Sequence, residues 1–204
     1  MTPARRAAPV DEGRAILDAA ASCYLRKGVA GTTVADIAGA VGISRATLYR
    51  RFGSHEAIFL AVVARESEEM AAEAQRRLAG VTDPSARLLE GMLFAIGEIR
   101  RRPVHAAVFG GDSAAWAVTQ AIRQEALRRI GDAGVRPLFA PALADGSLTE
   151  EGLADLSDWI IRILISFAAV PGAGGRRPDE IRRELATWFL PAFDRLVAAP
   201  STAR

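Results

Sequence analysis

One stretch of the chain, Thr32–Phe52, constrains the fold more than any other. It reads as two short helices that are joined by a tight turn. Thr33 and Asp36 have the spacing of a capping box, in which a threonine oxygen accepts a hydrogen bond from an orphan backbone N–H at a helix start. Gly42 stands where the chain must reverse, and glycine tolerates the positive φ that such a reversal often needs. The stretch therefore predicts a helix-turn-helix.

The second helix of this unit follows a new cap, Ser44, and divides into an apolar and a polar face. Ile43, Leu48 and Phe52 are spaced to point inward. The side chains left for the sides and the outer face are Arg45, Ala46, Thr47, Tyr49, Arg50 and Arg51. Arginine can donate two hydrogen bonds to guanine, threonine can contact a base edge, and hydroxyl groups suit phosphate oxygens. The face thus indicates a DNA-reading helix; the alternative is a solvated face that happens to carry three arginines.

The segment from Gly13 to about Val63 resembles the DNA-binding domain of the TetR/AcrR family of one-component bacterial regulators. The matching residues are Ile16, Ala19, Ala20, Gly28, Thr32, Thr33, Ile37, Ala38, Val41, Gly42, Ile43, Ser44, Thr47, Leu48, Tyr49, Phe52, Ser54, His55 and Glu56. Two positions depart from the family pattern: Ala46 stands where glycine is usual, and His55 stands where lysine is common. We expect His55 to be a weaker phosphate contact than lysine, because most of it is uncharged at neutral pH.

The charge distribution agrees with a DNA-binding amino-terminal part. Residues 1–55 hold eight basic and four acidic side chains, a net charge of +4, whereas the rest of the chain holds 18 basic and 20 acidic side chains, a net charge of −2. A locally positive field attracts the phosphate backbone. The predicted DNA-contacting residues are Thr33, Ser44, Arg45, Ala46, Thr47, Tyr49, Arg50, Arg51 and His55.

The pattern predicts an all-α protein, in which a three-helix helix-turn-helix domain precedes a larger helical ligand-binding and dimerisation domain. No segment alternates polar and apolar residues for long, so no sheet is expected. The expected division is a flexible arm at 1–10, the DNA-binding domain at 11–60, the helical domain at 61–199 and a flexible tail at 200–204. The helices are expected at 11–27, within 32–52, and at 54–79, 84–101, 103–110, 113–132, 135–144, 149–170 and 178–199.

A pocket in the second domain would be lined by large side chains on the inner faces of its middle helices. Ligand pockets are mostly apolar and aromatic. The candidates are Met92, Ile96, Phe109, Trp116, Trp159, Ile163 and Phe167. The alternative is that these residues form plain core. The two tryptophans are favoured because a buried indole N–H needs a partner. His105 could add a polar contact, but the preferred alternative is a surface histidine or one whose hydrogen bonds are already satisfied.

The last two long helices carry wide apolar faces. Their residues are Leu153, Leu156, Ile160, Ile163, Leu164 and Phe167, followed by Ile181, Leu185, Trp188, Phe189, Phe193 and Leu196. The family resemblance implies that this pair packs against its copy as a four-helix bundle. A two-fold dimer would set two recognition helices about 34–36 Å apart and would match a palindromic operator. The alternative is that both faces are buried within one subunit.

Catalytic chemistry is not expected. The two histidines are far apart in sequence, no glycine-rich phosphate loop or metal-ligand cluster is visible, and Cys23 is expected in the core. We therefore expect neither an enzyme nor a cofactor. A single cysteine fits a reducing compartment, and no stretch reads as a secretory signal or a membrane span, so we expect a cytoplasmic protein.

The sequence as a whole predicts a ligand-responsive, DNA-binding transcriptional regulator. Repression is the commonest mode in the family that it resembles, so a repressor released by a small hydrophobic effector is expected. Its expected partners are a double-stranded DNA operator, that effector and a second copy of the chain. The alternative is a regulator or activator without a small-molecule ligand, controlled by a protein partner.

Overall fold

The computed structural model describes residues 9–109, 134–169 and 176–198, and every regular element within them is helical. The α-helices are α1 Pro9–Lys27, α2 Val34–Val41, α3 Arg45–Phe52, α4 His55–Arg77, α5 Pro84–Arg101, α6 Pro103–Phe109, α7 Ala140–Ala144, α8 Glu150–Ala169, α9 Pro178–Glu184 and α10 Leu190–Ala198. The expected all-α class is confirmed. The helix predicted at 113–132 lies outside the described residues. In the described part of the chain, none of the helices has both the length and the apolar character that crossing a bilayer requires.

The ends of the amino-terminal helices follow the local signals in the sequence. Thr33 caps α2, because its side chain accepts from the backbone N–H of Asp36 while its own backbone N–H donates to the Asp36 carboxylate at 2.9 Å. Gly42 ends α2 with a left-handed φ of 77°. Ser44 then caps α3 by accepting from the backbone N–H of Thr47 at 3.1 Å. The predicted helix-turn-helix is confirmed. Helix α1 begins at Pro9, two residues before its predicted start at Asp11.

The helix predicted at 178–199 is interrupted by a π-helical turn, Leu185–Phe189, between α9 and α10. This turn directly precedes Pro191. Proline has no backbone N–H, and its ring clashes with the carbonyl group four residues earlier, which a regular helix could not accommodate. In the widened turn, the N–H of Leu190 bonds to the carbonyl oxygen of Leu185, five residues back. The proline therefore accounts for the interruption.

Two hydrophobic clusters fill the described part of the molecule. The first cluster contains the core of α1–α4, with Ile16 and Leu48 fully buried, and it extends to Ile99, Val104 and Ile165 of the later helices. The second cluster is formed by α5, residues 135–148 and the segment from α8 to α10, which together are called the body below. Helix α4 runs unbroken across residue 60, and the first cluster joins α1–α4 to residues of the later helices, so the amino-terminal helices pack directly onto the body.

Most of the side chains that were predicted to form a dimer face are buried within the single chain instead. They belong to the second cluster, and those that are less than 9% exposed are Leu153, Leu156, Ile160, Ile181, Leu185 and Phe193. Ile163, Leu164, Phe167 and Phe189 are partly buried and pack against the same cluster. The side chain of Leu196 lies outside the described residues. Trp188 differs from all of these, since 81% of it is exposed.

Candidate functional site

Helix α3 presents its polar face to solvent. Leu48 is fully buried, and Ile43 and Phe52 pack against the first cluster, which fixes the orientation of the helix. Its exposed residues are Arg45, Ala46, Tyr49, Arg50 and Arg51, with Tyr49 50% exposed and Thr47 partly buried. Arg45 and Arg50 make no hydrogen bond or ion pair with any residue that the structure describes. The guanidinium groups of Arg45 and Arg50 and the phenol group of Tyr49 are therefore available on this face for contact with another molecule.

Three hydroxyl-bearing residues among the predicted contacts, Thr33, Ser44 and Thr47, already have structural partners. Thr33 Oγ1 donates to the Asp36 carboxylate at 2.7 Å, in addition to accepting as the α2 cap. Ser44 Oγ lies 3.0 Å from Thr47 Oγ1 as well as capping α3. These hydroxyl groups hold the starts of the two helices. Any contact that they make with DNA would use the lone pairs that remain.

An ion pair joins the end of α1 to α2. Lys27 Nζ lies 2.5 Å from Asp36 Oδ1. Hydrogen bonds to the Asp36 carboxylate, first from Lys27 and then from Thr33, lower its pKa well below the ordinary value. The carboxylate is therefore ionised at neutral pH, and it fixes α2 against α1 on the solvent side.

The side chain of His55 is partly buried, and one side of its ring faces the core. Its ring packs edge-on against Tyr24, with the ring centroids 5.9 Å apart. Its Nε2 atom is buried and has no hydrogen-bond partner among the described residues. In this arrangement Nε2 cannot reach a phosphate. A lysine side chain at this position would have extended to solvent. An aromatic ring is stabilised more by packing on a neighbouring ring than by exposure to solvent.

A second feature is a partly open, almost wholly apolar cavity of about 140 Å³ in the body. It lies between the two hydrophobic clusters. Val63, Ile99 and Ile165 of its wall belong to the first cluster. Other wall residues belong to the second cluster, namely Leu88, Met92, Val135, Phe139 and Ile160. The cavity is therefore in contact with both the core of helices α1–α4 and the core of the body.

The structure separates the predicted pocket residues. Met92 lines the cavity. Ile96 is buried in the second cluster, and Ile163 and Phe167 pack against its edge, so none of these three is part of the cavity wall. Trp159 is 61% exposed, and its side chain points away from the cavity. Its neighbour Ile160 faces the cavity, and consecutive residues of an α-helix point in directions about 100° apart. The side chain of Phe109 and all of Trp116 lie outside the described residues.

Helix α4 contributes a wall of the cavity, although none of the predicted pocket residues lies on this helix. Its cavity residues are Val63, Ser67, Met70, Ala71 and Ala74. They recur at spacings of three and four residues, which is the period of one helix face. That spacing, together with two alanines whose small side chains leave room beside the backbone, is the feature of the sequence that could have predicted this wall.

His105 of α6 also lines the cavity, as the possible polar contact that the sequence suggested. It is 3% exposed. Burial, reinforced by the nearby Arg102 guanidinium, lowers the pKa of His105 to about 4. The imidazole is therefore neutral at physiological pH and can act as both donor and acceptor.

A partly buried ion-pair network connects the same region to α4. Arg102 Nε lies 3.1 Å from Glu98 Oε2, and Arg102 Nη2 lies 2.8 Å from Glu73 Oε2. Arg101 also pairs with Glu98. The network fastens the junction of α5 and α6 to the second half of α4, close to the cavity wall.

The fold and the exposed α3 face define a helix-turn-helix protein of the DNA-binding class. The sequence model of the family described as bacterial regulatory proteins, tetR family, matches residues 16–62. An uncharacterized HTH-type transcriptional regulator of Mycobacterium tuberculosis is 32% identical over 188 residues, which cover 92% of this chain and 88% of that protein. The chain therefore belongs to the TetR family and is a DNA-binding transcriptional regulator.

Solved structures support the fold. The TetR family repressor AlkX from a Dietzia species superposes with a TM-score of 0.68 at 21% identity, over 95% of this chain and 100% of that one. RolR in complex with resorcinol superposes with a TM-score of 0.65 at 16% identity, over 94% of this chain and 95% of that one. At these identities the similarity establishes a shared helical architecture.

Proposed function

We propose that this regulator is a repressor that binds a palindromic operator as a homodimer and is released by a small hydrophobic effector. The observation that carries the proposal is the apolar cavity between the two hydrophobic clusters. Its wall includes α4, which continues directly from the DNA-binding helices. A ligand in that position contacts both parts of the molecule at once.

The DNA-binding step uses the exposed face of α3. Arg45 and Arg50 would supply base or phosphate contacts, Tyr49 a hydroxyl group for a phosphate, and Ala46 a methyl group for a thymine. Arg51 is held beside α1 by Glu12, with 3.1 Å between Nη1 and Oε2. Each phosphate that an arginine neutralises releases counterions, so the affinity should fall steeply with salt.

The homodimer would form through the outer surface of α8 and the π-helical turn. Trp159 and Trp188 are 61% and 81% exposed in the single chain. Tryptophan is rarely left so exposed, and it is enriched at the energetic centres of protein interfaces. Since most aliphatic side chains of these helices are buried within the chain, the two indoles are the strongest candidates for the dimer contact.

The release step follows from the position of the cavity. A ligand shifts an equilibrium only by its differential affinity for the two conformations. Because the wall combines residues of both clusters, a bound molecule favours the relative placement of α4 and the body that best closes around it. That placement would alter the distance between the two α3 helices of the dimer. RolR, which has the same architecture, binds resorcinol.

Selection of bound DNA from a random pool tests the operator and the dimer together. We expect enrichment of two half-sites in inverted orientation, with centres about one helical turn apart (roughly 10–10.5 base pairs), and two chains per site. Enrichment of a single half-site bound by one chain would contradict the homodimer. No enrichment above the input pool would contradict sequence-specific binding.

A matched pair of variants on α4 tests the role of the cavity. Ala71 lines the cavity, whereas its neighbour Ala72 does not. Compounds that release the unmodified protein from the selected operator should fail to release the Ala71→Leu variant from it, because the larger side chain occupies the cavity. The Ala72→Leu variant should be released normally. Both variants should bind operator without compound. Normal release of Ala71→Leu would place the effector elsewhere.

A further inference from the structure

We infer that Arg102 is a positioning residue for operator binding, because its side chain fixes the joint between α5 and α6 against α4. The inference rests on the proposed function, since it concerns how a homodimer spaces its two α3 helices. Arg102 itself does not touch DNA. It acts through α4, which begins at His55, directly after α3.

The joint consists of a single residue. Arg102 stands alone between α5, which ends at Arg101, and α6, which begins at Pro103. Its backbone is extended, with a φ of −71° and a ψ of 124°. Its N–H donates to the carbonyl oxygen of Glu98 at 2.7 Å and closes α5, and its carbonyl oxygen accepts from the N–H of Ala106 at 2.9 Å. A change in the angle between the two helices therefore turns on the backbone of this one residue.

The side chain of Arg102 connects the joint to two helices. Its Nε lies 3.1 Å from Glu98 Oε2 of α5, and its Nη2 lies 2.8 Å from Glu73 Oε2 of α4. The side chain is 18% exposed. A guanidinium group holds its N–H donors in a rigid planar fork, so two carboxylates fix its orientation as well as its position. One side chain thus sets both the angle at the joint and its distance from α4.

Stability alone does not account for this network. The side chain of Glu98 is 9% exposed. Burial opposes its ionisation, but hydrogen bonds from Arg102 and Arg101 outweigh the burial, and the pKa of Glu98 lies below its ordinary value. Buried ion pairs often contribute no more to stability than apolar side chains of similar volume. What the charged network adds is one defined placement of α4 relative to the joint.

The joint lies between the body and the amino-terminal helices. On one side of it, Met92 and Ile96 of α5 belong to the second cluster. On the other side, Val104 of α6 belongs to the first cluster, and α6 packs against α1. Leu48 holds α3 in that same cluster. A rotation at Arg102 therefore moves α1, α4 and α3 together relative to the body.

A loose joint has a specific effect on operator binding. The two α3 helices of a dimer fit both half-sites in only some placements of α4. The apparent dissociation constant rises as the fraction of molecules in those placements falls. The same looseness lets the dimer accept half-sites at other spacings. The affinity for a single half-site does not change, because α1–α3 of each chain keep their structure.

Glu73→Ala tests the inference with little risk to the fold, because the side chain of Glu73 is 40% exposed. The substitution removes the link to α4 and leaves the pair between Arg102 and Glu98. Glu69→Ala, at an exposed position one helical turn earlier on α4, is the matched control. Fluorescence anisotropy measures binding to three duplexes: the selected operator, the same operator with one base pair inserted between its half-sites, and a duplex with one half-site scrambled.

Glu73→Ala should bind the selected operator about 3- to 10-fold more weakly than the unmodified protein. The further loss caused by the inserted base pair should be smaller for Glu73→Ala than for the unmodified protein and Glu69→Ala. All three proteins should bind the single half-site equally. An unchanged selectivity for spacing would overturn the inference, and so would an equal loss of affinity on all three duplexes.

The double variant Glu98→Leu, Arg102→Met separates position from stability. It replaces the buried pair with apolar side chains of similar volume, so its melting temperature should be unchanged or higher. Its selectivity for spacing should nevertheless fall as far as that of Glu73→Ala. A folded double variant that keeps the selectivity of the unmodified protein would refute the role of Arg102. If the double variant does not fold, the result for Glu73→Ala decides.

The two proposals can be told apart when they fail. Two chains on two half-sites, with equal selectivity for spacing in Glu73→Ala and the unmodified protein, would contradict the positioning role alone. One chain on a single half-site would contradict the homodimer, and this inference with it.

Discussion

Arg51, in the last turn of α3, donates a hydrogen bond to Glu12 of α1, with 3.1 Å between Nη1 and Oε2. A methyl group in place of hydrogen at Gly13 would lie 2.8 Å from Nη2 of the same guanidinium, so Arg51 lies closely over α1. Exposed pairs of this kind contribute at most about 1 kcal/mol to stability. The main effect of Glu12 is therefore on the position and the charge of Arg51.

Glu12→Gln should strengthen operator binding. The substitution removes a negative charge beside the proposed DNA-reading face and weakens one of the contacts that hold Arg51. We expect a few-fold gain in affinity and a salt dependence that is steeper by up to about one unit of log K against log salt. Fluorescence anisotropy over a salt series measures both. Glu68→Gln, at an exposed position of α4, is the control, and equal or weaker binding of Glu12→Gln would oppose this role.

Thr33→Ala should destabilise the fold, because it removes the cap of α2. The loss of an N-cap hydroxyl typically lowers the free energy of unfolding by about 1 kcal/mol. Urea denaturation measures this change, with Thr82→Ala at an exposed loop position as the control. Unchanged stability would show that the hydroxyl contributes nothing as a cap, which would leave DNA binding as its remaining role.

His105 should make the stability of the protein decrease in acid. Its pKa is lowered from 6.5 to about 4 in the folded chain, so the unfolded chain binds the proton first as the pH falls. The free energy of unfolding relative to that of His105→Leu should therefore decline between pH 6.5 and about 4, by roughly 3 kcal/mol in total. Denaturation of both proteins at several pH values measures the difference. A constant difference would mean that the imidazole is protonated equally in both states.

Trp188→Glu should dissociate the proposed homodimer and leave the chain folded, because the indole is 81% exposed in the single chain. Central interface tryptophans cost about 2 kcal/mol or more when they are removed, which corresponds to at least a 30-fold weaker dimer. Sedimentation at micromolar concentration measures the change. Leu25→Glu, an exposed apolar position on α1, is the control. A fully dimeric Trp188→Glu would place the interface elsewhere.

The helix-turn-helix was predictable because its signals are local. Thr33, Gly42 and Ser44 act through hydrogen bonds and backbone angles within a few residues of themselves. The predicted start of α5 at residue 84 is also determined locally, since Asp83 accepts from the backbone N–H of Ala86 at 2.7 Å. For such features, the residues that determine the structure lie within a few positions of each other in the sequence.

The cavity was less predictable because it depends on how distant helices meet. On α8, both Trp159 and Ile160 are apolar, and the helical period gives their relative angle without saying which one faces inward. The choice is made by α4 and α5, which supply the opposite wall. His55 illustrates the same limit, because the position of Tyr24 decides whether its ring points to solvent or to the core.

The central claim is that the outward face of α3 reads the operator. The most direct test is the affinity of Arg45→Ala for the selected operator. The comparison is Arg76→Ala, at an exposed position about 30 Å along α4 from the start of that helix. Arg45→Ala should lose about 1–3 kcal/mol of binding free energy and discriminate less among operator variants, with its fold unchanged, whereas Arg76→Ala should bind normally. Equal affinities of Arg45→Ala and the unmodified protein would contradict the account.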